Sequence, residues 1–556
     1  MRVAIAQLNL HVGNIDANVS RIRSSLGQAK NQGADLVLFP ELTLAGYPPR
    51  DLLLSQAFID DCQRGLGKVA ASCHDIAAII GGPSRNGTGQ GKPLFNSAFL
   101  LYDGKVQAVC HKGLLPTYDV FNEDRYFQSA TDFGTVDYKG ERLAITVCED
   151  LWNIGKESLY ALTPPDVLMK SRPTVLLNIS ASPFAWNHMP QRMRVLSANA
   201  KKYRLPLFSA NLVGGQTDLL FDGASAVFGP SGQVVDRLPA FREDLRVYDL
   251  SSVRSSPHNE GLPELEGKEQ QWAATLDALV MGVRDYFRKT GLSKALVGLS
   301  GGLDSALTLV IAEKALGKEN VWAVLLPGPY SSEHSVTDAL ALARKLGVRH
   351  DTISINGIVE SLENSLAAQY AGTESGIAEE NLQARARAVV LMGLSNKFNH
   401  LLLNTSNKSE AAVGYTTLYG DMCGGLSVLG DVYKSDVYGM ARLINAAGEV
   451  IPWHTISKPP SAELKPNQKD SDSLPEYQLL DDILYQFLEE GKDAGEIVRR
   501  GHDEALVKRV IEMVCLSEHK RFQSPPILRT SPKCLGVGRE MPLEASWQSL
   551  LRIHNA

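Results

Sequence analysis

Two α/β domains in tandem are predicted, the second a doubly wound, mainly parallel sheet. Three observations carry this. The chain has 556 residues, more than one hydrophobic core serves. Short apolar runs alternate with helical stretches through both halves. That alternation breaks at Ser255–Gln271, where Pro257, Gly261, Pro263 and Gly267 lie among charged residues, as in a connector. Domains are therefore placed at 1–252 and 272–556, with 253–271 as the linker.

Composition narrows the class. The formal net charge is -6 with both signs mixed along the chain, which gives no reason to propose a nucleic-acid partner. The seven cysteines are odd in number, irregularly spaced and without a C-x-x-C pair, so neither a disulfide framework nor a zinc site is expected. The start, Met1 to Leu8, is too short and polar for a signal peptide, and no apolar run reaches membrane-spanning length. A soluble cytoplasmic protein is expected.

In the first half the predicted order is a strand at Arg2–Leu8, a helix at Asp16–Asn31, a buried strand at Leu36–Phe39, a helix at Ala57–His74 and a strand at Ile76–Gly81. A hairpin pairs Asn96–Tyr102 with Lys105–Cys110 across Asp103-Gly104. Strands follow at Leu143–Val147, Thr174–Ser180 and Pro206–Asn211, and a last hairpin turns at Pro230-Ser231-Gly232. Three chemistry-bearing residues fall at strand ends, where α/β proteins place function: Glu41, Lys112 and Cys148. Cys148 occupies a strand-to-helix elbow, where a helix N-terminus is expected to lower a thiol pKa. A thiol needs a base to attack an amide, and the resulting oxyanion needs a fixed positive charge.

In the second half a helix at Gln271–Lys289 leads to the strand Lys294–Val297. The run Gly298-Leu299-Ser300-Gly301-Gly302-Leu303-Asp304-Ser305 then turns into a helix. Strand, glycine turn and helix N-terminus make a nest of backbone N–H groups for an anion, and Ser300 and Ser305 add hydroxyls. A carboxylate at Asp304 beside phosphates calls for a cation such as Mg²⁺ between them. The loop is not of the G-x-x-x-x-G-K-[ST] kind, which occurs nowhere in the chain. Further strands at Val321–Leu326, His350–Ser354 and Leu401–Asn404 complete the doubly wound pattern. Residues 456–477, rich in Pro, Lys, Asp and Ser, read as a loop, either a lid that excludes water or a surface insertion.

The strand-end segments Phe39-Pro40-Glu41, His111-Lys112-Gly113-Leu114-Leu115-Pro116 and Val147-Cys148-Glu149-Asp150 resemble the nitrilase superfamily. That resemblance implies an α-β-β-α sandwich and an amidase with Glu41 as base, Cys148 as nucleophile and Lys112 as oxyanion cation. It extends to a glutamine pocket at Tyr118, Phe121, Glu123 and Ser182, and to His188, where glutamine-hydrolysing members often carry Lys. The remaining six cysteines, Cys62, Cys73, Cys110, Cys423, Cys515 and Cys534, lack such context and read as structural.

The run Ser300-Gly301-Gly302-Leu303-Asp304-Ser305 resembles the ATP pyrophosphatase superfamily, implying a Rossmann-like sheet and cleavage of ATP to AMP and pyrophosphate. With Asn404 to Glu410, Tyr419-Gly420-Asp421 and Leu429 to Ser435 in order, nearly the whole chain resembles the glutamine-dependent NAD synthetase family. The resemblance implies ATP contacts from Gly298 to Ser305 and at Thr405, Lys434 and Ser461. It implies deamido-NAD contacts at Asn381, Arg385, Glu410, Asp421, His519 and Lys520, and Mg²⁺ on Asp304 and Glu410. Ammonia-using relatives place a Lys before Tyr-Gly-Asp, where this chain has Thr417-Leu418. The family further implies a homo-oligomer and an ammonia tunnel. Two other readings stay open: a ligase amidating a different acid, and a hydrolase whose second half is a scaffold.

Overall fold

The structure is a computed structural model that describes residues 1–155, 159–257 and 267–553. It divides into two compact units, Met1–Leu265 and Glu266–Ala556. The middle of the expected linker, 258–266, lies outside the described residues, and both of its ends are helical. Val253 and Arg254 finish the helix Leu250–Arg254, and Lys268 opens the helix Lys268–Thr290.

The first unit stacks two six-stranded sheets. One runs in the order Asp244–Asp249, Arg2–Gln7, Leu36–Leu38, Ala77–Arg85, Leu94–Tyr102, Lys105–His111. The other runs Val234–Arg237, Ala226–Phe228, Leu207–Asn211, Val175–Ser180, Glu141–Val147, Val136–Tyr138. The central strands of each sheet are parallel and their flanks antiparallel. Because side chains alternate along a strand, each sheet has two apolar faces to bury. The inner faces meet in one core, with Val3, Ile5, Leu36 and Leu38 against Ile145, Val147, Leu177 and Phe208. The outer face of the first sheet is covered by Ile15–Asn31 and Gln56–Ala70, that of the second by His188–Tyr203. This is the α-β-β-α sandwich. Leu38, Val147 and Ser180 end at one edge of it, which brings the predicted strand-end residues together.

The second unit is built on five parallel strands in the order Arg349–Thr352, Val321–Leu325, Ala295–Gly298, Leu401–Asn404, Leu426–Ser427. The first strand in sequence lies in the middle, so the order reverses there and opens a crevice at its carboxyl end. The phosphate loop follows that strand. Helices Tyr477–Leu488, Ala494–Arg499 and Glu504–Leu516 form a lobe that packs on Lys408–Val413. Among the described residues no helix is long and apolar enough to cross a membrane, and all seven cysteines are unpaired.

Candidate functional site

In the first unit a lysine is walled in by acids. Lys112 follows Lys105–His111 and is 0% exposed. Its ammonium donates to Glu41 Oε1 at 2.8 Å and to both oxygens of Glu123 at 2.8 Å. Burial disfavours the ammonium, but Glu123 and Glu41 outweigh it and hold Lys112 well above its usual pKa. The acids are fixed in turn. Glu41 Oε2 accepts the Ala181 N–H at 3.0 Å, Glu123 Oε1 accepts the Tyr47 hydroxyl at 2.9 Å, and Asn96 Nδ2 donates to Glu41 at 2.7 Å and to Glu123 at 3.4 Å. Burial raises the Glu123 carboxyl, Lys112 opposes this, and Glu41 adds to it.

Cys148 ends Glu141–Val147 and opens the short turn Cys148–Leu151, with φ at +44°. Left-handed backbone at a residue with a Cβ is strained, and the surrounding structure holds it. Asp150 is the brace: its carboxylate accepts the N–H groups of Gly113, Leu114 and Val147 at 2.9–3.0 Å, tying the lysine loop to the elbow. Burial pushes Asp150 up to about 6 against those three donors. The expected lowering of the thiol pKa is overturned. Burial pushes Cys148 well above its usual value and Glu41 adds to this, with Lys112 opposing and Glu149 and Glu123 adding again. A four-residue turn has too few aligned peptides to offset three carboxylates in a dry site.

The expected glutamine-binding residues surround this centre unevenly. Tyr118 donates to Glu149 at 3.0 Å, and its ring meets Phe121 edge-on at 5.5 Å. Burial raises Glu149, with Lys112 opposing. Ser182 is buried with its N–H on Asn211 Oδ1 at 2.8 Å. His188 opens the helix His188–Tyr203, its Nδ1 lying 2.8 Å from the Pro183 carbonyl and its ring 5.2 Å from that of Trp152.

In the second unit the phosphate loop lines a cavity of about 650 Å³. Gly298, Leu299, Ser300, Gly302, Leu303, Asp304 and Ser305 face it, as do Thr405, Glu410, Asp421, Lys434 and Ser461. Gly301 lies behind them at φ +81°, where a Cβ would come within 2.2 Å of the Ser335 carbonyl. Ser300 and Ser305 close the turn on each other at 3.0 Å, and the helix Leu303–Leu316 starts directly after it.

Lys434 bridges the acids of this cavity. It bonds Asp304 and lies 3.5 Å from Glu410. Burial disfavours this ammonium too, and Asp304 and Glu410 hold it above its usual pKa. Glu410 is raised by burial, with Lys434 opposing and Asp304 adding. Asn407 caps the helix Lys408–Val413 by accepting the Glu410 N–H at 3.0 Å, and donates to Asp304 at 3.0 Å. From the same helix Lys408 points away, fully buried on Asp431, Glu489, the Ser531 hydroxyl and the Lys533 carbonyl.

Asn381, Arg385, His519 and Lys520 do not line this cavity. Three of them brace one wall of it instead. Asn381 accepts the Thr417 hydroxyl, Arg385 donates to the Leu418 carbonyl, and Lys520 donates to the Gly414 and Thr416 carbonyls. Asp421, raised to about 6 by burial, accepts the Thr417 N–H. His519 is exposed at the far end of that group.

The loop expected at 456–477 forms a further wall, tied to the helix Ile377–Phe398 through Gln383 and Glu380. Its residues 458–465 and 467–470 line the cavity. Glu463 accepts from the Ser332 N–H, the Ser332 hydroxyl and the Ser335 hydroxyl at 2.7–3.1 Å, while Lys458 donates to Ser335 at 2.9 Å. Ser335 is the residue packed against Gly301, so this strap is tied to the phosphate loop.

Residues not singled out from sequence are Tyr47, Asn96, Asn407 and Glu463. The available signal was polarity out of place. Asn96, with Ser97 beside it, interrupts an apolar strand, Leu94–Tyr102, and Asn407 stands at a capping position three residues before Glu410.

A carbon-nitrogen hydrolase family model matches residues 2–257, and an NAD synthase model matches residues 275–524. The glutamine-dependent NAD(+) synthetase of Synechocystis sp. is 44% identical over 550 residues, covering 97% of this chain and 98% of that one. That of Rhodobacter capsulatus is 41% identical over 561 residues, covering 98% and 99%. The solved structure of the glutamine-dependent NAD+ synthetase from Acinetobacter baumannii in complex with ADP superposes with a TM-score of 0.76 at 38% identity, covering 98% of both chains. Both units match in order and along their whole length, so this chain belongs to the glutamine-dependent NAD(+) synthetase family.

Proposed function

We infer that the first unit frees ammonia from glutamine and that the second uses it to amidate deamido-NAD at the expense of ATP. The observation that carries this is the buried Lys112 between Glu41 and Glu123, in a chain whose other half keeps the phosphate loop, Asp304, Glu410 and Lys434 around one cavity.

In the first step Glu41 takes the Cys148 proton and the thiolate attacks the amide carbon. Burial and Glu41 raise the Cys148 thiol, so a base is needed to take its proton for attack. Lys112 balances the charge that develops on oxygen, and its bonds to Glu41 and Glu123 hold it still. The proton on Glu41 passes to the leaving nitrogen as ammonia departs. Water, deprotonated by Glu41, then cleaves the thioester to glutamate. Tyr118, Phe121, Ser182 and His188 are assigned to the glutamine pocket.

In the second step the nicotinate carboxylate of deamido-NAD displaces pyrophosphate from ATP. Ammonia then displaces AMP from the acyl adenylate and gives NAD. A carboxylate is a poor electrophile, so this activation is required. The backbone N–H groups of the Ser300–Ser305 turn and Lys434 hold phosphate oxygens, with Thr405 and Ser461 at the nucleotide. Asp421 stands at the dinucleotide side of the cavity, with Asn381, Arg385 and Lys520 shaping that wall. Asp304 and Glu410 suit Mg²⁺, which takes hard oxygens from one or two carboxylates and completes its shell with phosphates. When bound, Mg²⁺ would neutralise charge on those phosphates.

The test is an acceptor screen with ATP and glutamine, scored by AMP and pyrophosphate release. NAD from deamido-NAD, one AMP per NAD, is the expected result. Amidation of another acid with deamido-NAD inert would replace the acceptor, and glutamine hydrolysis without AMP from any acid would reduce the second unit to a scaffold.

A further inference from the structure

Among the described residues, Lys112 and Asn96 are the two side chains that donate to both Glu41 and Glu123. Asn96 is 0% exposed on the strand Leu94–Tyr102. Its backbone carbonyl accepts the Lys112 N–H at 2.8 Å, so the same residue also sets where the lysine leaves the sheet. Its side-chain Oδ1 is buried without a hydrogen-bond partner. Turning the amide over would face that oxygen to two carboxylate oxygens, so the network fixes Nδ2 toward the acids. An orphaned buried carbonyl costs free energy. The position accepts that cost in order to give two N–H groups to two acids.

Other residue types do different things there. Aspartate would add a third negative charge to a dry site that already holds two. Leucine would fill the space and donate nothing. A lysine would bring a second cation and change the charge seen by the oxyanion. A neutral double donor favours the charged, proton-accepting form of each carboxylate while leaving the net charge of the centre alone. We propose that Asn96 is a positioning residue of the amidase centre, whose amide holds Glu41 and Glu123 together on Lys112 and keeps Glu41 able to accept the Cys148 proton. This rests on the assignment of Glu41 as the base.

The experiment compares Asn96→Leu and Asn96→Asp in the full chain. The pH profile of glutaminase kcat/KM and the pH dependence of Cys148 alkylation are measured, with ammonium-driven NAD synthesis by the same preparations as the folding control. The expected result is an acidic limb displaced upward by about one pH unit in Asn96→Leu and further in Asn96→Asp. Alkylation shifts in the same direction, and ammonium-driven synthesis stays at the parent level. A fall in kcat with the limb unmoved makes Asn96 a packing residue and overturns the proposal. If Asn96→Asp does not fold, Asn96→Leu, with the same branching and heavy-atom count and uncharged, decides alone. Glu41→Gln separates the two ideas. If it keeps glutaminase activity, the base assignment fails. If it is inactive while the Asn96 variants keep the parent limb, the Asn96 proposal fails by itself.

Discussion

Lys112 and Lys434 are both buried ammonium groups set between two acids, and each pair of acids is reached by an asparagine, Asn96 in the first unit and Asn407 in the second. The surroundings differ. Around Lys112 the acid side chains are 1% and 6% exposed, and every donor of the ammonium is directed at them. Around Lys434 they are 16% and 18% exposed and face a cavity of about 650 Å³. The first centre is finished before substrate arrives, with its ammonium fully occupied by its own two acids. The second leaves its charges facing open space, with Lys434 resting on Asp304 at the cavity wall. One chemistry needs a fixed base and cation, the other a site that rearranges its ion pairs around the ligand.

Four experiments probe that contrast, in order of expected effect. Cys148→Ala removes the covalent route altogether, so NAD formation with glutamine should be undetectable while synthesis from ammonium chloride persists. Loss with both nitrogen sources in a folded protein would mean that the second centre is not self-sufficient. Asp304→Asn should lower pyrophosphate release about a thousandfold, several kcal/mol, and leave glutamine hydrolysis measurable. Near-parent AMP formation would remove Asp304 from the phosphate site.

The third experiment follows the Cys148 thiol directly. Burial, with Glu41 adding, holds it well above its usual value, so thiolate grows with pH through the neutral range without levelling off. Alkylation of Cys148 by iodoacetamide, followed by mass spectrometry, should rise about tenfold per pH unit from roughly pH 7 to 9. A plateau near neutrality would show a thiolate stabilised by the elbow and would erase the difference between a finished and an unfinished centre. The smallest effect is expected for Glu463→Ala, which removes three accepted hydrogen bonds between strap and phosphate-loop wall. KM for ATP should rise roughly fivefold, about 1 kcal/mol, with glutaminase unaltered. An unchanged KM would make the strap an inert wall.

The fold was legible where side-chain periodicity and turn chemistry coincide. Arg2–Gln7, Leu36–Leu38, the Asp103-Gly104 hairpin and the phosphate loop lie where local pattern puts them. Pattern failed where pairing decides. Asp244–Asp249 does alternate as a strand should, but it is short and half its residues are charged, and its antiparallel run along Arg2–Gln7 is what makes it one. Leu426–Ser427 is two residues long and exists only beside Leu401–Asn404. The helix His188–Tyr203 has a proline in its first turn and four charged residues, so its buried stripe of Met193, Leu196 and Ala200 is hard to read from sequence. The site divides similarly. Glu41, Lys112 and Cys148 were legible as polar residues at the ends of apolar strands. Asn96 was not, because what distinguishes it is two acids that lie 55 residues earlier and 27 later in the chain.

The helix Lys408–Val413 carries the consequence furthest from the chemistry. It presents Glu410 to the nucleotide cavity while its first residue, Lys408, is neutralised by Asp431 and Glu489 and also donates to the Ser531 hydroxyl and the Lys533 carbonyl. A buried ammonium that lacks its acceptors is costly, so this helix has its full set of partners only after residue 533 has been made. The network around Lys112 closes within the first unit, from residues no later than Ala181, and that unit, whose ion pairs are complete by Arg254, can fold while the rest is still being synthesised. On the ribosome, the two centres would therefore mature at different times. Amidase competence would come early, and ATP would be consumed only by a chain translated past residue 533.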